Sequence, residues 1–233
     1  MVDFEEIKRE HVSIPVSGME PTSGILALPA GDTKRTGVIV AHGAGNDMET
    51  PLLVAFSGGL AKAGYPTLRF NFPYRERGRK APDRYEILAE TWRSAAAFFQ
   101  ELLGQRVDSF VAVGKSIGGR VASQMVGDGL LVAGRLIFLG YPLHSAGNKE
   151  HLRDAHLYHV KVPMLFFAGT RDPLCDLETL QSVMHRLAVP WNLHIIDGGD
   201  HSFHVTKSAG VPVTDIHDRI VRETVRWLEE EPG

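Results

Sequence analysis

At 233 residues, 43% hydrophobic and 23% charged, the chain has the size and composition of one globular domain (residues 1–233) with a sizeable core, which excludes disorder as the default state. A formal net charge of -3 leaves no basic surface for a polyanion, since the arginines are scattered apart from a cluster at Arg75, Arg77, Arg79, Lys80 and Arg84, so nucleic acid is not an expected partner. Charges fill MVDFEEIKREHVSIPV where a signal peptide needs an apolar core, no stretch approaches the roughly 18 apolar residues of a membrane span, and the single cysteine, Cys175, has no intrachain partner; these predict a soluble, cytoplasmic protein.

In chain order, HVSIPV (11–16) and GILALP (24–29) predict a short hairpin, and the continuous apolar run GVIVAH (37–42) a fully buried strand. Residues 51–63 have helical spacing and stop at Gly64; PTLRFNF (66–72) is the next strand. After the charged loop RERGRKAPD, a helix is predicted over 84–103, closing at Gly104. FVAVG (110–114) is a strand, 117–126 a helix and RLIFLG (135–140) a strand. PMLFFAG (163–169) and NLHIID (192–197) are strands separated by a helix over 177–187, and 216–230 is a final amphipathic helix. Alternation of this kind predicts an α/β fold with a mostly parallel central sheet and helices on both faces.

Gly114-Lys115-Ser116 has the ending of a phosphate-binding loop, but that loop needs a glycine five residues earlier, where Ser109 stands, and a flexible segment where FVAV is a strand. Extended to Gly118, the same residues make a G-x-S-x-G frame between a strand and a helix. Chain and helix cross closely at such a turn, so the flanking positions must be small, as Gly114, Gly118 and Gly119 are. Ser116 then stands at a helix N-terminus as a candidate nucleophile, with the backbone N–H of Ile117 aimed at a developing oxyanion.

A serine nucleophile needs a base and an acid, expected in the chain order Ser, Asp or Glu, His at later strand ends. Asp172 follows the strand PMLFFAG and His201 follows NLHIID. Among rival acids, Asp176 reads as an N-cap, Asp200 adjoins His201 too closely in sequence to face its Nδ1, and Asp197 is a strand-end residue. The second oxyanion donor is expected from His42-Gly43-Ala44-Gly45, with the N–H of Ala44 chosen and Gly45 in reserve. With these roles, activity is expected to fall on the acid side as the histidine takes up a proton.

These residues resemble an α/β-hydrolase from about Gly37 to the C-terminus. The set HGAG, RFNFPY, GKSIGGR, GYPLH, LRDAHL, PMLFFAGTRDPLC and DHSF more narrowly resembles a branch related to dienelactone hydrolases, the testis-expressed-thirty-like predicted hydrolases. That resemblance implies a catalytic Ser116, Asp172 and His201, with serine where dienelactone hydrolases proper carry cysteine. The segment from Tyr141 to Pro163, where larger relatives insert a lid, is too short for a lid domain and predicts an open site suited to a small ester or thioester.

Residues 141–144 are expected to line the site's rim, with Leu143 and His144 as substrate-binding candidates; a surface histidine without function is the alternative for His144. Lys115 is expected either to attract an acidic substrate or to point to solvent. Arg69 and Asn71 read as structural. His151, His156 and His159 do not fall on one helical face, and with no H-E-x-x-H or cysteine pair neither a metal nor another cofactor is expected. Cys175 reads as a buried apolar side chain. The residues leave esterase, thioesterase, peptidase and acyltransferase open, together with a catalytically idle scaffold that uses the fold as an interaction surface, and say nothing of oligomeric state.

Overall fold

The computed structural model describes residues 7–206 and 210–230; the first six residues of the charged N-terminal stretch lie outside them. Eight strands form one sheet: β1 (Lys8–Ile14), β2 (Thr22–Leu28), β3 (Thr36–Ala41), β4 (Thr67–Phe70), β5 (Ser109–Lys115), β6 (Arg135–Leu139), β7 (Met164–Gly169) and β8 (Trp191–Ile196). Their order is β1-β2-β4-β3-β5-β6-β7-β8, with β1 and β2 antiparallel and every pair from β4 to β8 parallel. The result is an open, mostly parallel α/β sheet, and among the described residues no large lid domain interrupts it.

Strand parity divides the core. Ile39, Ala41, Phe110, Ala112, Leu136, Phe138 and Phe166 pack on one face, under α3 (Tyr85–Leu103), α4 (Ile117–Gly127) and α5 (Leu177–Met184). Their neighbours in sequence, Val38, Val40, Val111, Val113, Ile137, Leu139 and Phe167, pack on the other, under α1 (Pro51–Lys62) and α6 (Val213–Glu229). A strand with helices on both sides must be apolar at every position, which is why these runs show no alternation in sequence. α3 buries Leu88, Trp92, Ala95, Phe99 and Leu103 at three- and four-residue spacings and ends at Gly104, whose φ of 51° few other residues tolerate.

Differences from expectation are local. A single-turn helix, α2 (Pro73–Glu76), opens the charged loop; α5 stops at Met184; and α6 starts at Val213. Between Tyr141 and Pro163 lies only a 3₁₀ turn over Ala155–His159. Among the described residues no helix is long and apolar enough to cross a membrane.

Candidate active site

The site lies where the parallel strands end, where open α/β sheets place their ligands. Ser116 occupies the turn between β5 and α4 with φ 52°, a strained backbone for a residue with a Cβ. What holds it there is packing. A Cβ on Gly114 would lie 2.0 Å from the backbone N of Gly119, so only glycine lets the helix fold back onto the strand. The Trp92 indole on α3 donates to the carbonyl of Gly118 at 3.1 Å, pinning the helix start, and the N–H of Ser116 donates to the carbonyl of Gly140 at the end of β6 (3.2 Å).

His201, in the loop after β8, reaches Ser116 Oγ with Nε2 at 2.8 Å and Asp172 Oδ2 with Nδ1 at 2.7 Å. An ionised carboxylate only accepts, so Nδ1 carries the proton and Nε2 is left to accept from the serine hydroxyl. The Asp172 side chain is fully buried and its other oxygen accepts the N–H of Leu174 at 2.8 Å. The rival acids are engaged elsewhere. Asp176 caps α5 through the N–H of Thr179, and Lys149 with that cap holds its carboxyl well below the usual range. Asp200 accepts the N–H groups of Ser202 and His204, and Asp197 accepts Thr170 Oγ1.

The loop after β3 runs alongside. A Cβ on Gly43 would come within 3.2 Å of Ser116 Cβ, so glycine permits this approach. Two buried donors hold the carbonyl of Gly43: His42 Nδ1 at 2.8 Å and Tyr74 Oη at 3.0 Å. His42 Nε2 accepts the N–H of Phe72 (2.9 Å), and burial lowers the imidazole to about 4, so it stays neutral with its proton on Nδ1. In a trans peptide the N–H points opposite to the carbonyl, so this pair sets the direction of the Ala44 N–H. Neither Ala44 N–H nor Ile117 N–H meets an acceptor among the described residues, whereas Gly45 N–H is spent on the carbonyl of Lys80 at 3.1 Å. The roles of Tyr74 and of the His42 side chain escaped the sequence reading because 32 residues separate them and neither motif that holds them, RFNFPY or HGAG, shows that the two meet.

The rim expectation fails. Leu143, His144 and Lys115 are 0%, 1% and 4% exposed. Leu143 belongs to the core under α4 and α5. His144 donates from Nδ1 to the carbonyl of Ser145 and accepts the N–H of Asp176 on Nε2, both at 3.0 Å. With both ring nitrogens used, it stitches the loop after β6 to the loop carrying Asp172 and has no atom left for a substrate. Lys115 neither points to solvent nor reaches a substrate: its ammonium is buried with no hydrogen-bond partner among the described residues. Burial pulls it down to about 8, against the upward pull of Asp172 and Asp200.

Arg69 and Asn71 hold the segment after the β3 loop, through the carbonyl and N–H of Met48 and the carboxylate of Glu49. Cys175 is buried and its thiol is pushed up to about 12, which leaves it unreactive. His156 packs against Ser123 and Tyr141 rather than against His151 or His159. A serine poised against a histidine, beside two unpaired N–H groups, is an arrangement that can attack a carbonyl and hold the negative charge that results.

The sequence profile of a family described as "Alpha/beta hydrolase domain" matches residues 34–229. Among solved structures, a serine hydrolase homologue from Coxiella burnetii superposes with a TM-score of 0.74 at 18% identity, covering 92% of this chain and 96% of that one. A dienelactone hydrolase from Anabaena variabilis gives 0.73 at 20% identity, with 95% and 97% covered. A serine hydrolase without lid from Xanthomonas campestris gives 0.70 at 19% identity, with 97% of each chain covered.

Proposed function

As the chain belongs to the α/β-hydrolase family, we propose that it is a serine hydrolase of a branch related to dienelactone hydrolases, one that cleaves a small carboxylic ester or thioester through an acyl-enzyme, acting as one catalytic domain without a cofactor. Ser116 Oγ attacks the carbonyl carbon while His201 Nε2 takes its proton. The N–H groups of Ile117 and Ala44 hold the oxyanion, and the same proton is returned to the leaving alcohol or thiol as the acyl–oxygen or acyl–sulfur bond breaks. Water, deprotonated by His201, then releases the acid and restores Ser116. Asp172 keeps the proton on Nδ1 and stabilises the imidazolium formed at each step.

The observation that carries this reading is the continuous hydrogen-bonded chain from Ser116 Oγ through His201 to Asp172. The absence of a lid domain favours short, soluble acyl groups over long lipids. Hydrolysis of acetyl, butyryl and decanoyl p-nitrophenyl esters and the matching thioesters tests it. The expected result is turnover with preference for the shorter chains, lost in Ser116→Ala; equal rates for the native chain and that variant would overturn it.

A further inference from the structure

A lysine ammonium buried without a hydrogen-bond partner among the described residues is costly. Lys115 is the last residue of β5, and strand parity places it on the face shared with Val111 and Val113, under α1 and α6, opposite to Gly114. Its stem passes Gly43, on which a Cβ would meet Lys115 Cγ at 3.3 Å, and its tip ends beside the base. A Cβ on Gly140 would stand 3.2 Å from Lys115 Nζ, 2.9 Å from the carbonyl oxygen of His201 and 3.6 Å from its Cε1. The ammonium and the imidazole edge are therefore no farther apart than the sum of the first and last of these distances.

The groups that surround the ammonium explain what a charge does there. The loop after β3 meets the stem of Lys115 through Gly43, which carries no charge. The loops after β7 and β8 bring Asp172 and Asp200, whose fields favour the ammonium, together with His201 itself. From α4 and the end of β6 the nearest groups, Ser116 and Gly140, carry no charge. No carboxylate lies within ion-pair distance of Lys115 among the described residues; Asp172 gives one oxygen to His201 and the other to Leu174. Lys115 thus acts on the carboxylate through its field and leaves the Asp172–His201 hydrogen bond intact.

We infer that the Lys115 ammonium is a positioning charge that offsets the field of buried Asp172, so that the resting imidazole of His201 remains a proton acceptor at neutral pH. The inference rests on the serine-hydrolase reading. A fully buried carboxylate against an imidazole strongly favours the imidazolium, and an imidazolium cannot take the serine proton. A fixed positive charge within about 7 Å, in surroundings of effective dielectric about 20, opposes that protonation by about one to two pH units.

The test is the pH dependence of second-order labelling of Ser116 by a fluorophosphonate, in the native chain, Lys115→Met, Lys115→Gln and Lys115→Arg. The expected result is an acid-side midpoint raised by about one to two pH units in both neutral variants, and retained in Lys115→Arg. At any pH below both midpoints the neutral variants are then labelled about ten to a hundred times more slowly than the native chain. Identical midpoints, or an arginine variant shifted as far as methionine, would overturn the inference, since packing alone would then explain any change. Should the variants fail to fold, the native chain decides: the His201 Cε1 proton resonance should show a second inflection near pH 8 as Lys115 loses its proton, and a curve without it refutes the coupling. No labelling of the native chain at any pH would sink the hydrolase reading itself, whereas a labelled chain with an unmoved midpoint sinks only the role of Lys115.

Discussion

Replacing Lys115 with methionine should make the protein more stable at neutral pH, the reverse of most core substitutions. Burial lowers the ammonium from its ordinary 10.5 to about 8. Below about pH 8 both folded and unfolded chains hold the proton, and the fold carries the full cost of a buried charge. Between about 8 and 10.5 the folded chain has released the proton while the unfolded chain still binds it, so this group's contribution to stability rises with pH. At 1.36 kcal/mol per unit, the cost at pH 7 has a ceiling of about 3 kcal/mol. Lys115→Met removes it and leaves an unbranched apolar side chain of similar length in its place. Urea unfolding of both proteins at pH 7 and pH 10.5 measures the effect, and the difference between the two proteins cancels the titration of groups that the Lys115 charge does not reach. The expected result is a variant up to about 3 kcal/mol more stable at pH 7, with the advantage fading by pH 10.5. A variant less stable at pH 7, or a difference that does not change with pH, would refute the reasoning. A stabilised variant that also loses activity on the acid side would identify Lys115 as a residue retained at the expense of stability.

Asp172→Asn should lower kcat on a short-chain ester by about a thousandfold or more, because the amide holds the wrong imidazole tautomer, whereas Asp200→Asn should stay within about tenfold of the native rate; comparable losses in both would leave the acid unassigned. Tyr74→Phe removes one of the two donors on the Gly43 carbonyl and, at about 1 kcal/mol for a neutral hydrogen bond, should slow acylation roughly fivefold with little change in KM. An unchanged kcat would show that His42 suffices to orient the Ala44 peptide. His144→Ala leaves the Asp176 N–H and the Ser145 carbonyl unpaired and should cost about 2 kcal/mol or more in urea unfolding, with the relative kcat/KM for acetyl and butyryl esters preserved; a changed preference between the esters would return His144 to the substrate site.

Much of this was legible in the sequence, for reasons that differ by element. The inner strands announced themselves because a strand covered on both faces is apolar throughout, and the elbow because strand, small residues and helix are contiguous. Asp172 and His201 were legible as residues just past strand ends, although their meeting depends on β7 and β8 lying side by side on the same flank of β5 as β6. The start of α6 was missed because Val213, Thr214 and Asp215 are exposed and add no inward-facing residue to the helical pattern. The single turn of α2 is too short for any periodicity to register.

Two of the errors at the rim came from polarity. A histidine and a lysine were read as surface or substrate-facing groups, although for the lysine position argued otherwise. Lys115 stands two residues beyond Val113 on a strand whose side chains alternate between two buried faces, so period two alone placed it inside. His144 carried no such signal, since its partners, Ser145 and Asp176, come from two different loops that only the folded sheet brings together.

The account turns on Ser116 being an activated nucleophile. Intact-mass analysis after treatment with a fluorophosphonate, on the native chain and on Ser116→Ala, tests that most directly. The expected result is one adduct per native chain and none on the variant, with His201→Ala labelled at least a hundred times more slowly than the native chain. A folded native chain that takes up no probe, or a variant labelled as fully as the native chain, would contradict the account and turn attention to the fold as a surface for partners.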